Sequence, residues 1–477
     1  LVLFILMIYY YGKVSVPRKE ILMEKEDVAT NDEEKDVTLE TQNVDVKDEN
    51  GLDEEEKKVV EKAKELDGEV FKKQKKNNKK KIIIIISIVV GLLLLSTGGY
   101  FLYKYIRVKT AKVEVKLSEK LEANFTDTLR VSSFIESING KIVDDYVIDT
   151  DKLGKKTINF EFVNEDGIKI KYSYVIDVVD KEAPLIWLGK SYNVTKGSED
   201  YLLDKIMCGD NYDSNPKCYI EGEYNLDEVG SYKLVFKAED SSGNKAEKNF
   251  TLNVNEPKKG GSNSNTEKVT TDFSQIVKDY KNDDTQIGID VSKWQGDIDF
   301  SKLKASGVEF VIIRVGSSNG LNGENFVDSK FIQNVKNANA VGIPVGIYFY
   351  SYASTIDRAI SDAKWIVEQI KDYKVDLPIA FDWENWGSFN KFDVSFFGLT
   401  NIAKGFMDTI KDAGYDAMLY SSKTYLENIW LPTSYPVWLA HYTKNTNYTG
   451  DYSFWQICSN GRVDAVSYTH LTLPTIA

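Results

Sequence analysis

From residue 82 to residue 103 the chain carries no charged side chain, and Lys72, Lys73, Lys75, Lys76, Lys79, Lys80 and Lys81 crowd the N-terminal edge of that run. As a helix rising ~1.5 Å per residue, the stretch is about 33 Å long, enough to cross a hydrocarbon core of about 30 Å. A transmembrane helix over 82–103 is therefore the first expectation, with the lipid bilayer as partner. A cleaved signal peptide fits less well, because a long segment precedes the run and no small-residue cleavage pattern accompanies it. Only Lys104 and Arg107 follow closely. The lysine excess thus puts the N-terminus in the cytoplasm and everything after Tyr105 outside, a single-pass cell-membrane protein.

Charge divides the chain in the same place. The 477 residues hold 60 Lys plus Arg against 73 Asp plus Glu, a formal net charge of −13. Residues 23–71 alone hold 19 acidic side chains against 7 lysines, a net of −12, with almost no aromatics. Such a stretch buries too little apolar surface to offset its chain entropy. Residues 23–81 are accordingly expected to be a disordered cytoplasmic segment, acidic and then Lys-rich, at most partly helical around 54–69. Residues 1–22 start without Met and read as lying upstream of a native start at Met23. The acidic balance argues against nucleic acid as a partner, since phosphate binding needs clustered Lys and Arg. Three Cys and two His leave no material for a disulfide-dense scaffold or for a Cys- or His-rich metal site.

Beyond the span an internal repeat appears. Leu153-Gly154 through Phe160 recurs as Val229-Gly230 through Phe236, and Gly167, Tyr174 and Val178 match Gly243, Phe250 and Val254, all offset by 76 positions. Alternation such as Tyr232, Leu234, Phe236, Ala238 marks strands with one buried face, and Ser-Ser-Gly-Asn at 241–244 is hairpin chemistry. Two all-β sandwiches in tandem are expected, 112–180 and 181–256. The second, with Ala-Pro at 183–184, Asp-Asn-Tyr-Asp at 210–213 and Glu-Asp-Ser-Ser-Gly-Asn at 239–244, resembles bacterial immunoglobulin-like repeats. Cys208 and Cys218 lie ten positions apart in it. They would face an oxidising exterior, where a local disulfide and two unpaired thiols are both open. Residues 257–285, starting Pro-Lys-Lys-Gly-Gly-Ser-Asn, read as a flexible linker.

From residue 286 the pattern alternates strand and helix. Strands are expected at 287–292, 310–316, 344–352, 378–384, 417–421, 437–440 and 454–458, with helices at 329–340, 356–373, 394–413 and 423–429. Short buried strands separated by helices suggest an α/β barrel, irregular in its last third, with its chemistry at the C-terminal strand ends. Asp290 ends the first strand, and Asp382 and Glu384 end the fourth. At i and i+2 of a strand, the latter two would share one face. Paired carboxylates there are what a glycosidase uses for a general acid beside an anionic stabiliser. The aromatics Tyr348, Tyr350, Tyr420, Trp438 and Trp455 lie along or at the ends of strands, and flat rings with polar edges suit a pyranose. His441 reads as structural or as a minor sugar contact.

These residues carry a family likeness. Gly-Ile-Asp-Val-Ser-Lys-Trp-Gln-Gly at 288–296, Gly-Val-Glu-Phe-Val-Ile-Ile-Arg at 307–314, Gly-Ile-Pro-Val-Gly-Ile-Tyr-Phe-Tyr-Ser-Tyr at 342–352, Asp-Trp-Glu at 382–384 and Phe-Trp-Gln at 454–456 resemble glycoside hydrolase family 25, the Chalaropsis-type lysozymes. The likeness spans 286–465. It implies a barrel of five β/α units plus three strands, and hydrolysis of the β-1,4 bond from N-acetylmuramic acid to N-acetylglucosamine in peptidoglycan, with no metal or other cofactor. By the same likeness Glu384 is the general acid, Asp382 the assisting carboxylate that orients the substrate's acetamido group, and Asp290 a supporting acid; Gln456 joins the aromatics as a substrate contact. The residues themselves leave inverting, covalent and substrate-assisted routes open. The family's closing segment carries a fourth acid, whereas here Gly461-Arg-Val-Asp-Ala runs into a tail, 466–477, that reads as foreign or out-of-frame sequence. With that tail, the expectation is a barrel lacking its closing strand. A glycan-binding surface protein with impaired turnover is the alternative to a wall-remodelling or lytic hydrolase.

Overall fold

The structure is a computed structural model that describes residues 54–199, 202–257, 270–464 and 466–474. The expected upstream segment at 1–22, the acidic stretch to residue 53 and most of the Gly/Ser-rich linker fall outside the described residues. The chain divides into two compact units, Leu1–Tyr103 and Lys104–Ala477.

The described part of the first unit is helical. One helix, Glu54–Lys109, runs unbroken from the acidic stretch through the lysines and the apolar run. Residues 54–81, expected to be at most partly helical, are therefore helical throughout; Glu, Lys, Ala and Leu are all strong helix formers. Lys79–Lys109 is long and apolar enough to cross a membrane, with a mean hydropathy of 2.6 in its most apolar window, and Ile83, Leu94 and Leu95 are exposed along it.

The second unit opens with two β segments whose long hairpins echo the repeat. Gly154–Asn164 pairs with Lys169–Val179, and Gly230–Glu239 pairs with Lys245–Asn255, both antiparallel. The hairpin turns carry Gly167 at φ 72° and Gly243 at φ 90°, a conformation that a side chain would strain. The same alternate positions point inward in both: Ile158, Phe160 and Phe162 in one, Leu234, Phe236 and Ala238 in the other. Each hairpin belongs to a four-stranded sheet, completed by Glu122–Asn124 and Gly140–Ile142 in the first and by Ser191–Thr195 and Lys217–Glu221 in the second. Cys208 and Cys218 are joined as a disulfide, with their Cα atoms 6.6 Å apart.

The remainder is a closed barrel. Its strands are β1 (Gly288–Val291), β2 (Phe310–Ser318), β3 (Val345–Tyr350), β4 (Ile379–Asp382), β5 (Ala417–Ser422), β6 (Val437–Ala440), β7 (Phe454–Val463) and β8 (Val466–Pro474). β1 to β7 run parallel in sequence order, and β8 closes the ring antiparallel to both β1 and β7. Helices Phe300–Ala305, Phe331–Val341, Ile356–Ile370, Phe396–Asp412 and Lys423–Asn428 follow the first five strands. Five β/α units plus three strands is the arrangement that the family likeness implies. The expected gap at the closing strand is not found: residues 466–474 form β8, where Val466 and Leu471 pack into the core. A run in which Val, Tyr, Thr and Leu supply most of the residues suits an antiparallel strand.

Two further differences concern how the barrel is mounted. The expected linker ends early, because Thr271–Asp272 pairs with β7 and the helix Phe273–Tyr280 buries Phe273 and Ile276 in the barrel's outer core. Burying two such side chains is worth about 1.5–3 kcal/mol each, enough to hold a short helix in place. The second β segment is also docked on the barrel. Asn390 accepts from Cys208 N at 3.0 Å and donates to the carbonyls of Leu203 and Ile206 at 2.9 and 3.0 Å.

Candidate active site

Strand alternation sorts the barrel side chains into two layers. Outward positions, among them Ile289, Val311, Ile347, Phe381 and Leu419, join the core beneath the helices. Inward positions form a smaller cluster of Phe310, Ile312, Ala380, Met418, Tyr420, Trp438, Ala440 and Phe454, with Tyr348 against it. At the C-terminal ends of the parallel strands the inward positions change from apolar to acidic. Asp290 on β1 and Asp382 on β4 are each 4% exposed.

The expectation for Glu384 needs a correction. β4 stops at Asp382, so Glu384 is not on its inward face by alternation; it sits just beyond the strand, before the short helix Asn385–Lys391, and is exposed. Between them Trp383 turns outward, fully buried, with its indole donating to the Ala353 carbonyl at 3.1 Å. The chain thus places one carboxyl inside the mouth and one at its rim.

Desolvation by the surrounding mouth acts first on both acids. Asp382 is held well above the usual carboxylate range by burial, then by the charges of Glu384 and Asp290, with Arg314 opposing. Its Oδ1 is buried without a hydrogen-bond partner. Glu384 is raised by burial and by Asp290, against His470 and the Tyr420 hydroxyl, which favour its charged form. Acids crowded in this way retain a proton to higher pH than isolated carboxyls, which is what a proton donor at neutral pH requires.

Gln456, 1% exposed, ties the acids to the tyrosines. Its Nε2 donates to Asp290 Oδ2 at 3.0 Å, and its Oε1 accepts from the hydroxyls of Tyr420 and Tyr442, each at 2.9 Å. From β8, His470 Nδ1 lies 2.7 Å from Asp290 Oδ1, and the Thr469 hydroxyl donates to the Asp290 carbonyl. The described residues of β8 thus set a histidine, not a carboxylate, beside Asp290. Burial keeps Tyr348 and Tyr350 protonated far into the alkaline range, so both remain donors.

The other expected contacts divide. Tyr348, Tyr350, Tyr420 and Trp438 are inward, and Trp438 packs edge-on to Tyr420 with ring centroids 4.7 Å apart. Trp438 is only 2% exposed, a wall of the interior rather than a sugar platform. Trp455 faces the other way: it sits in the outer core against Tyr280, and its indole donates to the His441 carbonyl at 2.8 Å. It is one position out of phase with Gln456, so the same strand that delivers one withdraws the other. His441 lies outside the acid cluster, its Nδ1 2.9 Å from the Thr446 hydroxyl.

Three residues with no role assigned from sequence also matter. Arg314, inward on β2, pairs with buried Asp328 at 2.8 Å through Nε and supplies the positive charge facing Asp382. Alternation with Phe310 and Ile312 marks it as inward, so its signal was present. Tyr425 stacks on Trp386 with centroids 3.9 Å apart, and Trp294 after β1 is 76% exposed.

Residues 289–466 match the family model of Glycosyl hydrolases family 25. The chain is 28% identical over 183 residues to an autolytic lysozyme of Clostridium acetobutylicum, covering 38% of this chain and 52% of that one. It is 27% identical over 198 residues to lysozyme M1 of Streptomyces globisporus, covering 38% and 64%. Among solved structures, the modular autolysin LytC of Streptococcus pneumoniae in complex with a synthetic peptidoglycan ligand is 26% identical, with a TM-score of 0.36 over 50% of this chain and 56% of that one. The chain spans about half to two thirds of the length of these curated relatives. The barrel and the acids at its mouth lie within residues 289–466, the stretch that matches glycosyl hydrolases family 25.

Proposed function

We propose that this protein is a membrane-anchored peptidoglycan hydrolase that cleaves the β-1,4 bond between N-acetylmuramic acid and N-acetylglucosamine. The observation that carries the reading is the set of three carboxyls, Asp290, Asp382 and Glu384, at the C-terminal mouth of the barrel, with desolvation raising Asp382 and Glu384 above their ordinary carboxylate ranges. The lysozyme relatives support the substrate class. In this reading Glu384, exposed at the rim, gives its proton to the glycosidic oxygen as the bond breaks. Asp382 stabilises the positive charge that develops at the anomeric carbon, by orienting the acetamido group that attacks it. Asp290 and Gln456 hold the tyrosine hydroxyls in register.

The apolar helix anchors the chain, with its lysine-rich end in the cytoplasm and the hydrolase outside. The two β segments are immunoglobulin-like spacers that carry the barrel toward the wall. One observation favours a second reading, a glycan-binding surface protein with impaired turnover: β8 presents His470 where the family's closing segment supplies an acid. The deciding experiment treats purified peptidoglycan with the detergent-solubilised chain, reduces the products with borohydride and identifies them by mass spectrometry. Fragments ending in reduced N-acetylmuramic acid establish the hydrolase. Folded protein that binds peptidoglycan and releases nothing establishes the binder.

A further inference from the structure

We propose that Asp180, Asp210 and Asp240 form a binding site for a calcium-class divalent cation where the two β segments and the barrel meet. Carboxylate oxygens of all three lie within 4.8 Å of one another. Oxygens bound to one calcium ion at about 2.4 Å each are at most about 4.8 Å apart, so this spacing is compatible with a single shared ion. The three residues are buried, at 7%, 1% and 6% exposure.

The hydrogen bonds leave the cluster unfinished. Asp210 Oδ1 accepts from Tyr212 N and Asp213 N at 2.9 and 2.7 Å, while its Oδ2 is buried with no partner. Asp180 Oδ1 accepts from Asn211 Nδ2 and Glu182 N, each at 3.2 Å, and its Oδ2 is likewise buried and unpartnered. Asp240 is oriented by Asn244, which donates to both of its oxygens. A fourth ligand stands ready. Asn211 is 6% exposed, its amide lies against Asp180, and its Oδ1 is buried without a partner. Turning that amide over would put the oxygen on the Asp180 side of the residue.

Among the described residues, the two lysines nearest the cluster in sequence are engaged elsewhere, Lys181 with Glu122 at 2.5 Å and Lys245 with Glu239 at 3.2 Å. Three buried carboxyls without a cation repel, and burial followed by the charges of Asp180 and Asp240 pushes Asp210 up to about 6, against the backbone donors of Asp213 and Tyr212. An all-oxygen set of hard donors selects calcium over the softer transition metals, with water completing the shell.

The placement gives the ion a mechanical role. Asp180 follows the last strand of the first β segment, whereas Asp210 and Asp240 belong to the second. The carbonyls of Asp210 and Asn211 accept from Phe396 N and Phe397 N of the barrel at 2.8 and 3.2 Å. An ion here would fasten both β segments and the catalytic barrel at one point, far from the carboxyls at the barrel mouth in sequence and in chemistry.

The test uses the full chain in detergent micelles, stripped with EGTA, with calcium itself as the probe in equilibrium dialysis and in thermal unfolding. One calcium ion bound per chain is expected, with Tm raised by several degrees at about 100 times Kd and by less in equal magnesium. Asp210→Asn, nearly isosteric, should lose both the bound ion and the Tm shift. In EGTA it should unfold no earlier than the wild type, because it removes a buried charge. A wild-type chain that binds no calcium and shows no shift overturns the site, as does an Asp210→Asn chain that keeps both responses. An equal shift in magnesium overturns the calcium preference.

Discussion

Replacing Glu384 with Gln isolates the proton from everything else the residue does. The side chain is exposed at the rim and outside the core, so the substitution should lower folding stability by no more than about 0.5 kcal/mol. Gln can still donate a hydrogen bond to the leaving oxygen but cannot transfer the proton. General-acid assistance is worth roughly 100- to 10,000-fold in rate, which at about 1.36 kcal/mol per decade is about 2.7–5.4 kcal/mol of barrier. The expected outcome is a fall of that size in reducing-end release from purified peptidoglycan, with Tm not lowered and peptidoglycan binding unchanged. The pH profile gives a second check. Burial and Asp290 raise the Glu384 carboxyl, so its active, protonated form persists above the ordinary glutamate range and is lost as pH rises through the raised value. Wild-type activity should therefore fall on the alkaline side at a pH above that of an ordinary glutamate. An Glu384→Gln enzyme within tenfold of the wild type refutes the assignment, and so does an alkaline limb at or below about 4.3, the unperturbed glutamate value.

Three other outcomes test the same structure. Asp382 has its folded-state pKa raised, so its destabilising effect is absent below the unfolded value and grows as pH rises toward the folded one; Asp382→Asn should raise Tm at pH 7, lose that advantage at acid pH and still lower turnover. A lower Tm at pH 7 would contradict the buried-charge argument. Trp383→Ala removes a fully buried ring packed against Trp386 and Phe392 and should cost about 3–5 kcal/mol in denaturant unfolding; a loss under 1 kcal/mol would mean that the ring is not a packing centre. Opening the Cys208–Cys218 bridge, which closes a ten-residue separation, by replacing both with Ser should cost about 2.5–3 kcal/mol on the chain-entropy account, and a reductant titration should reproduce that loss in the wild type alone.

Local pattern carried most of the fold. The first seven barrel strands are legible because most of the apolar runs follow a Gly or Pro and alternate with helical periods, and the paired hairpins because a 76-residue offset repeats both turn chemistry and inward positions. The helix Phe273–Tyr280 was hidden by its setting: Phe273, Ile276, Val277 and Tyr280 follow helical spacing, yet eight residues beside a Gly/Ser-rich stretch read as linker. β8 was harder still, because its partners β1 and β7 are set by ring closure rather than by anything adjacent in sequence.

The site divides along the same line between local and global information. Alternation along β7 distinguishes Gln456 from Trp455 only once the inward phase is known, and that phase is set by Asp290, 166 residues away, which accepts from Gln456. The strand rule brought Asp382 and Glu384 together for a reason that does not apply, since β4 ends at Asp382; the chain turns there, and the turn gives the two acids different surroundings. That difference is what acid chemistry needs, because two carboxyls in one environment would compete for the same proton without either having a fixed role. The aspartates at 180, 210 and 240 were invisible as a group for a related reason: they lie at separate points along the two β segments, and only the packing of those segments brings them within reach of one ion. In both clusters the residues are ordinary one at a time, and their chemistry arises from burial and mutual repulsion that exist only in the closed fold.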